Sequence, residues 1–432
     1  MMEYTSTRDE TLRTDAGRAL SEGLAPDGGL YVPVELPRFD AAAFEPWLSL
    51  PECATRVLSP FFDGSTLAAS IEPICRDALD LPLPIEPIAA DHPTWLMELF
   101  HGPTAAFKDF AARFLARAMG ALRSDGDPPR TVLVATSGDT GAAVAAAFHK
   151  RPGFRVAIVY PDGRVSGRQA HQLGAFGDNV RAFRVQGNFD DCQRMVKHAL
   201  SRPELVDRHG LTSANSISIG RLLPQISYYA LAAARLAAES PIDVVVPTGN
   251  LGNALACILA REIGFPIRRV HLATNANRTL PEYFAGADYA GRAGLRTLAN
   301  AMDVGDPSNF ERLAWFYRDR DARDAGIVAD SIEDDAIRSA ILREYERSGL
   351  IVCPHTACAL EHVERLRATG DRSPMLVAAT AHPAKFETVI EPIIGRSVPL
   401  PPALEALLQR PSHAAPIEPE YAALEAALDS MH

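Results

Sequence analysis

The sequence predicts an α/β protein in which mostly parallel sheet is covered by helices on both faces. Three observations carry this prediction. Short, continuous apolar runs recur along the chain, as strands buried on both faces require. Each run is followed by a polar or glycine-bearing turn and then an alanine-rich helical stretch. The chain has 432 residues, 47% hydrophobic and 22% charged, which suits a globular protein of two or three domains.

Taken in order, residues 1–90 mix turn signals ("PDGG", 26–29) with alanine-rich helical stretches, and read as a separate N-terminal domain. They end in "LPLPIEPIAADHP" (81–93). Proline at that density sustains neither helix nor central strand, so this is read as a boundary or connecting loop. Residues 91–240 form the next unit, with strand, turn and helix in "TVLVATSGDTGAAVAAAFHK" (131–150) and another buried strand in "RVAIVYP" (155–161). Residues 241–432 repeat the order in "PIDVVVPTGNLGNALACILAREIG" (241–264). The pattern continues in "RRVHLATNA" (268–276), "GLIVCPHTACALEHVERL" (349–366) and "PMLVAATAHPAKFETVI" (374–390), and the chain closes on a proline-rich tail and a short helix. In such sheets ligands gather at the carboxyl ends of the strands, where these turns sit.

A net charge of −11 disfavours nucleic acid and anionic membrane surfaces as partners. No apolar run is long enough to span a bilayer, and no secretory signal is visible, so a cytoplasmic protein is expected. The six scattered cysteines read as reduced thiols. "CPHTAC" (353–358) joins two of them to a histidine, but no second ligand cluster completes a four-ligand zinc site, so no metal is expected.

Four segments can carry chemistry. The turn Gly249, Asn250, Leu251, Gly252 lies between a buried strand and a helix start, where unpaired N–H groups and the helix dipole favour a phosphate. It is neither G-x-G-x-x-G nor a P-loop, and a plain structural turn has the same spacing. "ATSGDTG" (135–141) sets Ser137, Gly138, Asp139 and Thr140 at another helix start, which suits either an ordinary cap or a site for a carboxylate. Thr380 ends a buried strand and offers a hydroxyl to a ligand or to its own backbone.

The fourth segment is Lys108 in "HGPTAAFKDF" (101–110). The chain has only four lysines against 39 arginines, and Lys108 has the most apolar neighbours of the four. Phe107, Phe110 and Phe114 form a helical stripe beside it. Burial disfavours the ammonium and yields the free amine that attacks a carbonyl to form a Schiff base. A snorkelling surface lysine is the competing reading.

Together these parts resemble the threonine synthases, pyridoxal-phosphate enzymes of fold type II, in their shorter bacterial and fungal branch. The resemblance runs over nearly the whole chain. It is carried by "GLAPDGGLYVP" (23–33), "ELFHGPTAAFKDF" (98–110), "ATSGDTGAAVA" (135–145), "NSISIGRLLPQISYY" (215–229), "VVPTGNLGN" (245–253), "TLANAMDVGDPSN" (297–309) and "TAHPAKF" (380–386). It implies two doubly wound parallel-sheet domains with pyridoxal 5'-phosphate in the cleft between them, plus a family-specific N-terminal domain. It also implies that Lys108 is the Schiff-base lysine, that Gly249, Asn250, Leu251 and Gly252 hold the cofactor phosphate, and that Thr380 faces the pyridine nitrogen. Ser137, Gly138, Asp139 and Thr140 then lie beside the substrate carboxylate. Arg113, Arg221 and Lys385 are expected to hold the substrate phosphate. The implied reaction takes O-phospho-L-homoserine and water to L-threonine and phosphate, and a monomer is compatible with it. Leu251 and Asn253 depart from the family's usual G-N-F-G-D loop. A serine or threonine dehydratase, a phospho-lyase of the same fold and a non-catalytic pyridoxal-phosphate binder are the alternatives. A nicotinamide dehydrogenase lacks its glycine fingerprint.

Overall fold

The computed structural model describes residues 1–89, 92–237 and 240–431. Its strands are β1 (Tyr4–Ser6), β2 (Tyr31–Pro33), β3 (Ile85–Ala89), β4 (Thr94–Glu98), β5 (Arg130–Ala135), β6 (Phe154–Pro161) and β7 (Val180–Val185). They continue with β8 (Leu211–Ser213), β9 (Ile242–Pro247), β10 (Ile267–Thr274), β11 (Ile327–Ser331), β12 (Met375–Ala379) and β13 (Ala415–Ile417). Six of them form one sheet in the order β11-β10-β9-β12-β4-β3 and five form another in the order β13-β7-β6-β5-β8, while β1 and β2 pair alone. Neighbours in both larger sheets are parallel except β3 and β4. β9 and β12 are apolar but for Asp243 because helices cover both faces: every residue of the two strands is buried.

The sheets are not made from consecutive stretches of chain. β4 joins strands from the C-terminal part, and β13, from the tail, pairs with β7. An apolar run identifies a buried strand but carries no signal for which neighbour it takes, so the exchange is set by tertiary packing. The expected edge at residues 90 and 91 lies outside the described residues. The proline-dense segment differs from expectation: residues 85–89 form an edge strand, antiparallel to β4, with a register shift between Pro87 and Ala89. At an edge the missing N–H of Pro87 is tolerated.

The N-terminal part is tied to the rest by Arg312, whose side chain is fully buried. Its guanidinium donates to Tyr31 O at 3.1 Å, Ile217 O at 2.6 Å and Asn309 Oδ1 at 2.8 Å. One side chain thus joins β2 to two loops that approach the site.

Candidate functional site

Lys108 is the first residue of the helix Lys108–Ala121. Phe107 precedes that helix, so the expected stripe begins at Phe110 and Phe114, both fully buried. The entering loop is folded tightly. Asp109 accepts from Thr104 N at 2.8 Å and Thr104 Oγ1 at 2.7 Å, and Ala105 takes φ 55°, an uncommon conformation for a residue with a Cβ. The loop is then stitched to the end of β12, Phe107 N donating to Thr380 O at 2.8 Å and His382 N to Ala105 O at 3.0 Å. A cation at the first position of a helix faces the positive end of the helix dipole. Burial pushes the Lys108 ammonium below the ordinary lysine value. Asp139, its carboxylate 3.8 Å away, opposes this, while Lys385 and Arg221 add repulsion.

Asp139 opens the helix Asp139–Phe148. Its carboxylate meets Lys385 Nζ at 2.8 Å and accepts from Gln169 Nε2 at 3.0 Å. Burial alone would raise its pKa; Lys385 and Lys108 outweigh it and hold the carboxyl well below the usual range. The turn ahead of it is fixed by Thr136, whose Oγ1 accepts from Gly138 N and Gly141 N at 3.0 and 2.9 Å. Gly138 has φ 134°, and a Cβ there would lie 2.7 Å from the Gln169 amide. Ser137, Asp139 and Thr140 line the same cavity as Lys108, but the Asp139 side chain serves the two lysines and cannot attract a carboxylate.

Across the cavity lie Gly249 to Asn253, between β9 and the helix Gly252–Glu262. A Cβ on Gly249 would stand 2.3 Å from Met302 O. Leu251 holds φ 62°, so this loop too is strained, which is a feature of ligand-binding backbone. Asn250 fixes the loop, donating to Ser216 Oγ at 2.5 Å and accepting from Ser308 N at 2.6 Å. Asn253 accepts from Tyr228 and Tyr229 hydroxyls at 2.6 and 2.9 Å. Its Nδ2 and Arg221 Nε are buried and have no partner among the described residues. A tight backbone cradle, two unused donors and an amine of lowered pKa fit a phosphorylated aldehyde.

Thr380 lines the cavity, as does Arg221, which donates to Ala214 O at 2.6 Å. Burial pushes the Arg221 guanidinium down to about 10. The other two cations expected to hold the substrate phosphate are elsewhere. Arg113 donates to Ala78 O at 2.7 Å and Asp77 O at 2.8 Å. Five residues beyond Lys108, it is rotated by roughly 140° around the helix and points away from the cavity. Lys385 has no exposure, and its Nζ is consumed by Asp139 and by Thr104 O at 2.7 Å. Sequence reasoning also missed Asn215, Ser216, Gln225 and His355, which line the cavity. The first three sit in the "NSISIGRLLPQ" segment, whose small polar residues ahead of a helix were a usable signal.

Comparison with known proteins matches the family of pyridoxal-phosphate-dependent enzymes over residues 81–380. The N-terminal and C-terminal models of threonine synthase match residues 3–79 and 356–428. Threonine synthase of Haemophilus influenzae is 37% identical, covering 95% of this chain and 96% of its own. The crystal structure of Escherichia coli threonine synthase superposes with a TM-score of 0.92 at 34% identity, covering 100% of both chains. That of pyridoxal-phosphate-bound threonine synthase from Brucella melitensis gives 0.90 at 34%, covering 100% of this chain and 99% of that one. With its part-buried amine, glycine cradle and two-sheet fold, the chain belongs to the threonine synthases, pyridoxal-phosphate-dependent lyases of fold type II.

Proposed function

We propose that the protein converts O-phospho-L-homoserine and water into L-threonine and phosphate, with Lys108 as the residue that holds pyridoxal 5'-phosphate covalently at rest. The observation that carries this reading is the position of the Lys108 amine. It is partly shielded from water, 3.8 Å from a carboxylate that Lys385 already neutralises, in one cavity with the Gly249–Gly252 cradle. Pyridoxal phosphate, when bound, supplies a sink for the charge left as a proton leaves the substrate's α-carbon.

The chain's own groups do the rest. Gly249, Asn250, Leu251 and Gly252 hold the cofactor phosphate through the start of the helix behind them. Thr380 presents a hydroxyl to the pyridine nitrogen. With substrate bound, the Lys108 Nζ, uncharged, would be the group that takes the α-proton and returns it. Ser137, Gly138 and Thr140 hold the substrate carboxylate by hydroxyl and backbone donors. Arg221 takes the departing phosphate, its planar fork suiting that anion. Removal of a β-proton would expel phosphate from Cγ, Cγ would then be protonated to the methyl group, and water would add at Cβ. Domain organisation is read as an N-terminal unit, 1–90, and two α/β parts, 91–240 and 241–432, that share sheets: β3 and β4 join the strands of 241–432, and β13 joins those of 91–240. No described helix is long and apolar enough to cross a membrane. The six cysteines are free and buried, which agrees with a reducing cytoplasm. A monomer is the simplest assembly.

Borohydride treatment of cofactor-saturated protein followed by peptide mapping tests the reading. The label is expected on Lys108, with threonine and phosphate formed in equal amounts from O-phospho-L-homoserine. An unlabelled Lys108, or ammonia and a 2-oxo acid as products, refutes it.

A further inference from the structure

His355 belongs to the Cys-Pro-His-Thr-Ala-Cys segment but does not serve the cysteines beside it. Cys353 caps the helix Pro354–Ala368, its Sγ accepting from Thr356 N at 3.4 Å. The imidazole instead lines the cavity that holds Lys108 and Thr380, and only 2% of the residue is exposed. His355 Nε2 accepts a hydrogen bond from Ala301 N at 3.2 Å. A ring nitrogen that accepts carries no hydrogen, so the neutral imidazole is protonated on Nδ1. That N–H is a buried donor with no partner among the described residues. Burial, aided by Lys108 and Lys385 and opposed by Asp139, pushes the ring down to about 4, so the tautomer persists at neutral pH. Phe386 packs edge-to-face against the ring at 4.9 Å and helps fix its orientation.

We propose that His355 donates its Nδ1–H to an oxygen of the ligand in this cavity, either of pyridoxal phosphate or of the phosphorylated amino-acid substrate. The assignment rests on the functional reading above and adds to it a binding residue of neutral charge.

Two substitutions separate this from a structural role. His355→Gln keeps an acceptor for Ala301 N and loses the donor at the Nδ1 position. His355→Asn keeps a donor near that position and gives up Ala301. A ligand contact predicts that the Asn variant keeps more ligand affinity than the Gln variant, which falls about tenfold, the size of one lost hydrogen bond. A structural role predicts the opposite order, with a matching fall in the urea unfolding midpoint. If the oxygen is the cofactor's, His355→Gln raises the Kd for pyridoxal phosphate, read by absorbance titration. If it is the substrate's, that Kd holds and KM for O-phospho-L-homoserine rises instead. A wild type labelled at Lys108 beside a His355→Gln variant unchanged in Kd and KM overturns the His355 assignment alone. A wild type that binds no pyridoxal phosphate overturns both readings.

Discussion

Removing the Lys385 side chain tests how the reactive amine is kept uncharged. Lys385→Met preserves length and volume but deletes the ammonium that meets Asp139 Oδ1 at 2.8 Å and Thr104 O at 2.7 Å, with no exposure to water. Breaking a buried pair by removing one partner costs about 3–5 kcal/mol. Asp139→Asn alone leaves Lys385 buried without its counter-charge and costs a similar amount. The double variant Lys385→Met/Asp139→Asn buries no unpaired charge from the pair, so it is expected to lose about 3 kcal/mol less than the sum of the singles. Equilibrium urea unfolding of the four proteins measures this. The chemistry shifts too. In Lys385→Met the repulsion of Lys385 on Lys108 is lost while the attraction of Asp139, about 4 kcal/mol at 3.8 Å for an effective dielectric of 20, is kept. Lys108 is then held as an ammonium, and the pH midpoint for covalent capture of pyridoxal phosphate, followed by absorbance, moves upward. Additive stability losses with an unmoved midpoint would refute the argument.

Three further outcomes are expected. Arg113→Met loses two hydrogen bonds to backbone carbonyls, lowering stability by about 2 kcal/mol while KM stays unchanged; a KM rise would return Arg113 to the substrate site. Gly249→Ala forces a Cβ against Met302 backbone on a loop with no slack, so pyridoxal-phosphate affinity is expected to drop at least about tenfold and stability by about 2 kcal/mol, both read by titration and unfolding. Burial lowers the His382 ring to about 4, with His101 and Lys385 adding and Glu98 opposing. Between pH ~6.5 and ~4 the unfolded chain therefore binds a proton that the native chain does not, and stability falls as pH falls through that window. His382→Asn can still cap Ala384 N, now met by Nδ1 at 3.2 Å, and should remove at most about 3 kcal/mol of the stability change across that window, less for the part of the ring that water reaches; an unchanged pH dependence rules it out.

Much of the cavity lining was legible because it is local. Lys108 stood out by its apolar neighbours, and Gly249 to Gly252 by a strand-turn-helix spacing that leaves N–H groups free. Where reasoning failed, the missing information was long-range or angular. The pairing of Asp139 with Lys385 joins residues far apart in the chain, and no pattern near either one announces it. Arg113 was misplaced by its spacing, since five residues along a helix face nearly the other way. His355 was masked by two cysteines that invited a metal reading. The fold followed the same division: buried strands were visible as apolar runs, but the exchange of β4 and β13 between sheets depends on contacts that hydrophobicity does not encode.

Arg312 gives the N-terminal part a consequence for engineering. Trimming the chain to its two α/β parts would strip away Tyr31, remove one acceptor of the Arg312 guanidinium and open the face that the N-terminal part covers. The loop anchored through Asn309 and Asn250 would loosen as a result. The leading segment therefore helps to brace the loop that carries Asn250, and a minimal version of this protein needs a replacement for the Tyr31 carbonyl before it can discard the residues that supply it.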